Sequence, residues 1–200
     1  WNAVLKAGKR HKLMVIAPAH HRRIQAGILS WGQDMDQEHN PFQCNLGYQV
    51  SLSGKGVWDK QADYVGKEAL HKMKEQLKNG ENPYKLQLVG LEILGGKPIE
   101  EYAPDFWLIS ETSSSKPVGY ITSPWYHPEK KQNIAMGYVP YEGNLNPKGF
   151  PIGNFGKRYK VHLPKKYSSK PVDAVVVPIP FTQSFNANTR EAEVLATLNK

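Results

Sequence analysis

The densest group of residues that could do chemistry is His20-His21-Arg22-Arg23, followed eleven positions after Arg23 by Asp34. Adjacent imidazoles and guanidiniums suit an anion, through charge and through N–H donors. On a helix, however, neighbouring residues point about 100° apart, so no single ligand meets all four; one or two engage it and the rest face solvent. Asp34, Asp36 and Glu38 alternate as in a calcium loop, but the central glycine and closing bidentate glutamate of that pattern are missing. The other histidines, His11, His39, His71, His127 and His162, follow no HExxH or Cys/His spacing, which argues against a metal. Cys44 has no histidine beside it in sequence and reads as a small packed residue. GNFGK at 153–157 stands between strand candidates and not ahead of a helix, so it is no phosphate loop. None of these groups alone names a reaction.

The elements that must position them follow from periodicity. Residues 1–12 read as an amphipathic helix with Trp1, Val4 and Leu5 on one face, and Leu13-Met14-Val15-Ile16-Ala17, ahead of Pro18, as a short buried strand. Ile24, Ile28 and Leu29 predict a second helix over about 19–29, which leads into the polar loop GQDMDQEHNPF. A strand is expected near Tyr48–Leu52, then glycine punctuation in SGKGVWDKQ. A helix through DYVGKEALHKMKEQLKNG follows, where Leu70, Met73 and Leu77 recur at helical spacing and Asn79-Gly80 supplies the stop. From Lys85 the pattern changes to strands: LQLVGLEI, FWLIS, PVGYITS, NIAMGYV, RYKVHL and DAVVVPI, with ETSSSK as a hairpin turn and an irregular connection over 140–157. Six short strands without an intervening helix predict an antiparallel barrel or sandwich.

With 200 residues, 40% hydrophobic and 22% charged, the chain has room for one or two domains with real cores. No apolar run approaches the ~18 residues of a membrane helix, so no membrane partner is expected. The charge is +8, from 26 Lys+Arg against 18 Asp+Glu, yet the basic residues are scattered in pairs with no nucleic-acid module, so no nucleic acid is expected. A single cysteine favours a reducing, cytoplasmic setting. The chain starts at Trp1 within what reads as an element, which suggests part of a longer protein.

An ordered set of phrases carries more information than any motif above. RRIQAGILSWGQDMDQEHNPFQCNLGYQV, DYVGKEAL, VGLEI with GKPI, VGYITSPWYHPEKKQNIAMGYV and VVVPIPF together resemble the second half of the glycine-cleavage T-protein family of tetrahydrofolate-dependent enzymes. The run GILSWGQDMDQEHNPFQCNLG is most similar to the branch containing dimethylsulfoniopropionate demethylase. This resemblance implies an α+β fold, in which an α+β remnant of a folate-binding domain (1–80) packs on a C-terminal antiparallel β-barrel (85–181), with a tail over 182–200. It also implies transfer of a one-carbon unit from a small methylated substrate, dimethylsulfoniopropionate being one candidate, to tetrahydrofolate as cofactor. The upstream half of the same protein would be the partner and would hold the catalytic acid. The same resemblance leaves open a standard glycine-cleavage T-protein, and a binding module that kept the barrel and lost the chemistry.

Residue by residue, the family phrase Arg-Leu-Glu-Ala-Gly meets Arg23-Ile24-Gln25-Ala26-Gly27, so the arginine is kept and the glutamate becomes its amide. A second family arginine, implicated in holding folate, falls on Ala19. The family's Tyr-Gly-x-Asp meets Trp31-Gly32-Gln33-Asp34. The resemblance therefore assigns Arg23, Trp31 and Asp34 to the cofactor, with Arg190 as a C-terminal counterpart, and Trp125 and Tyr126 on the ITSPWYHP loop as a lid over the substrate. The blander alternative is an Arg23–Asp34 salt bridge that fixes the loop, with Trp31 in the core.

Overall fold

The computed structural model describes residues 1–16, 19–50, 64–146 and 149–181. Part of the strand expected near residues 48–52, the glycine-rich stretch 53–61, and Arg190 with its tail lie outside these residues.

Six strands form a closed antiparallel barrel: β1 (Leu86–Ile93), β2 (Trp107–Glu111), β3 (Pro117–His127), β4 (Gln132–Pro140), β5 (Arg158–Val161) and β6 (Val172–Val177), in the order β1-β4-β3-β2-β5-β6. Pairing of β6 with β1 closes the ring, so no long edge is left unpaired. Side chains alternate across each strand. Val89, Leu91, Ile93, Ile109, Ile121, Val139, Val161 and Val176 fill the interior, while Leu88, Ile134, Met136, Tyr138 and Val177 face outward into a second cluster with Ile24 and Phe181. Because both faces are covered there, β1 and β4 read as nearly continuous apolar runs. Two glycines permit the tightest strand approach: a Cβ on Gly119 would lie 2.1 Å from the Tyr138 carbonyl oxygen, and one on Gly137 would lie 2.6 Å from that of Tyr120.

Helix α1 (Asn2–Gly8) runs on as a 3-10 turn to His11, α2 spans His20–Gln25, and α3 spans Lys67–Lys78. Leu70, Met73 and Leu77 of α3 pack against Phe42 and Tyr141. Its end has the expected glycine geometry: Gly80, at φ 75°, donates to Leu77 and Glu81 donates to Gln76. The molecule is thus α+β, with a barrel of antiparallel strands.

Ahead of the barrel the structure departs from expectation. Leu13–Ile16 form no strand and are exposed, because no described strand lies beside them and a lone strand cannot satisfy its backbone. The region near Tyr48 is a 3-10 turn, Gly47–Gln49. The second helix stops at Gln25 because Gly27 takes φ 68°; a Cβ there would also lie 1.9 Å from Ile179.

Candidate functional site

Buried Ile24 anchors α2 on the outer wall of the barrel, and this fixes its neighbour Arg23 along the surface of β3. Past Gly27 the chain turns back, with Gly32 at φ 80°, and delivers Asp34 under the Arg23 guanidinium. Asp34 Oδ2 accepts from Arg23 Nη1 at 2.7 Å and from the Ser30 amide at 2.9 Å. Its Oδ1 accepts from Thr122 Oγ1 and Ser123 Oγ, both at 2.6 Å. Four donors therefore fill the carboxylate, whose side chain has no exposed surface.

Two consecutive residues of a regular strand cannot both face one oxygen. Here the β3–β4 register shifts between Ile121 and Ser123, and this bulge turns Thr122 and Ser123 to the same carboxylate. Ser123 Oγ also accepts from Arg23 Nη2 at 2.8 Å, which closes the ring of contacts. Tyr138 donates to the Asp34 carbonyl at 2.7 Å. Burial, and then the Cys44 thiol beside it, push the Tyr138 phenol well above its ordinary pKa.

Arg23 has five N–H groups. Nε reaches His20 Nδ1 at 3.4 Å, Nη1 serves Asp34 and the Ile28 carbonyl, and Nη2 serves Ser123. One Nη2 hydrogen is left without an acceptor among the described residues, and 17% of the side chain is exposed. Around it stand aromatic faces. His20 stacks on Trp125 with centroids 5.9 Å apart and packs against Tyr102 at 4.9 Å. Tyr102 donates to Gln33 Oε1 at 2.7 Å, and Gln33 Nε2 donates to the carbonyls of Thr122 and Ala103. The hollow between these groups measures about 10 Å³, room for roughly one water.

A second polar cluster sits at the far end of the turn. His39 Nδ1 lies 2.8 Å from Asp36 Oδ1, and Nε2 lies 3.3 Å from the Tyr120 hydroxyl. The Glu38 amide and His39 hold the Asp36 carboxyl below the usual range, while burial raises the Tyr120 phenol. Among the described residues no group of three or more His, Cys, Asp or Glu side chains is arranged to hold a metal. Cys44 is buried, 3.4 Å from the Tyr138 hydroxyl, and burial pushes its thiol up.

Arg23 and Asp34 are brought together, and Trp125 lies on their rim through His20. Trp31 is 69% exposed, not in the core. The ITSPWYHP stretch is strand and not loop: Trp125 and Tyr126 pair with Ile134 and Asn133 across β4, so neither is on a loop, and of the two only Trp125 borders the hollow beside Arg23. Thr122, Ser123, Gln33 and Tyr102 are the participants that sequence reasoning missed, whereas His20 belongs to the group singled out for an anion. Two adjacent hydroxyls ahead of Pro124 within an apolar strand were the available signal. A separate cavity of about 350 Å³, walled by Phe42, Cys44, Leu88, Phe150, Val177 and Ile179, includes none of the expected site residues.

Residues 87–182 match the Glycine cleavage T-protein C-terminal barrel domain, and the chain belongs to the glycine-cleavage T-protein family, on its C-terminal half. It is 31% identical over 143 residues to the aminomethyltransferase of Symbiobacterium thermophilum, a match covering 70% of this chain and 33% of that protein. It is also 31% identical over 141 residues to the dimethylsulfoniopropionate demethylase DmdA of Ruegeria pomeroyi, again covering 70% and 33%. The chain thus spans about a third of the length of these relatives. The aminomethyltransferase T structure from Bartonella henselae shares the fold, with a TM-score of 0.56 and 22% identity over 81% of this chain and 37% of that one.

Proposed function

We propose that this chain is the C-terminal part of a tetrahydrofolate-dependent one-carbon transferase acting on a small methylated substrate, with a sulfonium as the favoured class. The observation that carries the reading is the pinned guanidinium of Arg23, with one Nη2 hydrogen open beside the Trp125, His20 and Tyr102 rings.

These residues fit a folate in part. The aromatic rim offers faces to a flat ring, and the open N–H of Arg23 suits a carbonyl or carboxylate oxygen at its edge. The carboxylate of Asp34 has no surface to offer, so its part is to hold Arg23 in place, while exposed Trp31 is available to cover a ligand. When bound, tetrahydrofolate supplies the nitrogen that accepts the one-carbon unit. This chain orients and shields: Arg23 donates its remaining hydrogen bond, and the rings present π-faces that favour a sulfonium cation. The acidic group that positions the substrate belongs to the upstream half of the same protein. Orienting two bound reactants can replace roughly 7–11 kcal/mol of barrier.

The demethylase name among the relatives supports the sulfonium, and so does Ala19 where the family's second arginine would stand. The completed hydrogen bonding of Asp34 instead favours a module without chemistry. Calorimetric titration of tetrahydrofolate into this chain fused behind the rest of the Ruegeria demethylase separates the two. Binding that weakens about tenfold or more in Arg23→Gln supports the transferase. Absence of both heat and methyl transfer leaves the module, and transfer of an aminomethyl group in place of a sulfonium methyl identifies a standard glycine-cleavage T-protein.

A further inference from the structure

The cavity of about 350 Å³ takes its walls from parts of the chain far apart in sequence, within 26–29, 42–48, 88–90, 150–155 and 177–180. Neither Arg23 nor Asp34 lines it, and among the described residues no Lys, Arg, His, Asp or Glu does. Aromatic rings do: Phe42, Phe150, Phe155 and Tyr48. Phe42 and Phe150 pack with Leu77 and Tyr141, and Phe155 packs against the barrel interior, so these rings stand in place before any ligand arrives. Gly47 lies between two of them; a Cβ there would come within 2.8 Å of Phe42 and 2.9 Å of Phe150. The polar side chains of the wall are engaged with the protein itself. Asn45 Nδ2 donates to the Leu88 carbonyl at 2.8 Å and its Oδ1 accepts from Gln87 at 2.6 Å, while Asn146 Oδ1 accepts from the Phe150 amide at 3.0 Å. The Tyr48 hydroxyl accepts from Gln49 at 3.0 Å, and Cys44 meets the Tyr138 hydroxyl. Water filling the space, roughly ten molecules at liquid density, therefore finds few strong partners, and an apolar ring displaces it favourably.

We infer that this cavity is a binding site for an uncharged, flat aromatic compound about two fused rings in size, separate from the site around Arg23. The chemistry of the wall selects that class. A charged ligand would lose its hydration there and meet no opposite charge in return. An aliphatic one would fill the volume but forgo the offset and edge-to-face contacts that Phe42, Phe150 and Phe155 offer a second ring. A peptide strand has no edge to join, because Leu88 already donates its amide to the Gln43 carbonyl and accepts from Asn45. A flat ring system meets faces that are already fixed, so little ordering opposes its entry.

Titration of 2-naphthol into the 200-residue chain, followed by carbon–proton methyl spectra, tests the inference. The methyls of Leu88, Val177 and Ile179 should shift together and saturate with a Kd below about 1 mM, while those of Ile109 and Val161 inside the barrel hold still. The carboxylate analogue 2-naphthoate and the saturated analogue 2-decalol should each bind at least about tenfold more weakly. Leu46→Trp and Ile152→Trp enlarge half-buried side chains of the wall and should each weaken 2-naphthol at least about tenfold, with the spectrum of the barrel methyls reporting that the fold is kept. Arg23→Gln should bind 2-naphthol like the parent chain, even where it weakens tetrahydrofolate. Shifts that never saturate would overturn the inference, as would equal affinity for either analogue or unaltered binding in whichever tryptophan variants keep the fold. Loss of binding in Arg23→Gln would move the ligand to the hollow beside Arg23 and overturn it as well. Tetrahydrofolate binding is read separately, so failure of either site leaves the other standing.

Discussion

The barrel and the stretch ahead of it hold together in different ways. Inside the barrel, side chains from six strands meet one another, and every strand has two neighbours. Residues 19–50 have little interior of their own; they lean on the outer wall through Ile24, through Cys44 against Tyr138 and through one fully bonded carboxylate, while Phe42 packs with Leu77 and Tyr141. The first region is specified by apolar packing and the second by a few polar contacts whose geometry depends on a bulge in the first. Binding chemistry therefore gathers at the junction, where a rigid wall can orient a guanidinium that a short helix could not fix alone.

The largest expected effect lies in the barrel. Gly119→Ala places a methyl 2.1 Å from the Tyr138 carbonyl, so β3 and β4 cannot pair; soluble protein with native circular dichroism should be lost. Next is Asp34→Ala, which strips the carboxylate from Arg23 and leaves the Ser123 hydroxyl without its acceptor and Thr122 with only the Met136 carbonyl, at a cost of about 3–5 kcal/mol. Amide exchange should rise over residues 19–36 while strand amides keep their protection, and loss of strand protection would show that the two regions unfold as one. Ile109→Ala empties interior volume and should cost about 2–5 kcal/mol, read from urea unfolding and shared by all barrel strands. The smallest concerns Asp36. Its folded pKa lies below the ordinary 3.8, so its contribution is present above that value and fades as pH falls through the folded one. Asp36→Asn should remove that contribution, so stability falls slightly near neutrality, stays unchanged at the acid end, and the acid limb of the profile becomes slightly shallower.

The six strands were legible because alternation and turn residues mark each one, and α3 because Leu70, Met73 and Leu77 mark its buried face. Leu13–Ile16 misled because an apolar run states only that it wants cover, and no described strand lies beside it. Arg23 and Asp34 were legible as residue types eleven positions apart. Thr122 and Ser123 were not, since strand alternation sends adjacent hydroxyls to opposite faces, and only the bulge after Ile121 reverses this. The ITSPWYHP stretch, read as a loop, is strand despite Pro124, because that proline lies beyond the last residue of β3 that pairs with β2, where its missing N–H costs no ladder bond.

The measurement closest to the centre of the proposal is a double-mutant cycle on tetrahydrofolate affinity in the fused protein, with Arg23→Gln and Asp34→Asn. If Asp34 serves the cofactor by holding Arg23, each single change should weaken binding by about tenfold to a hundredfold and the double change by little more than either. Full binding by the Asp34→Asn protein, or two losses that simply multiply, would contradict it.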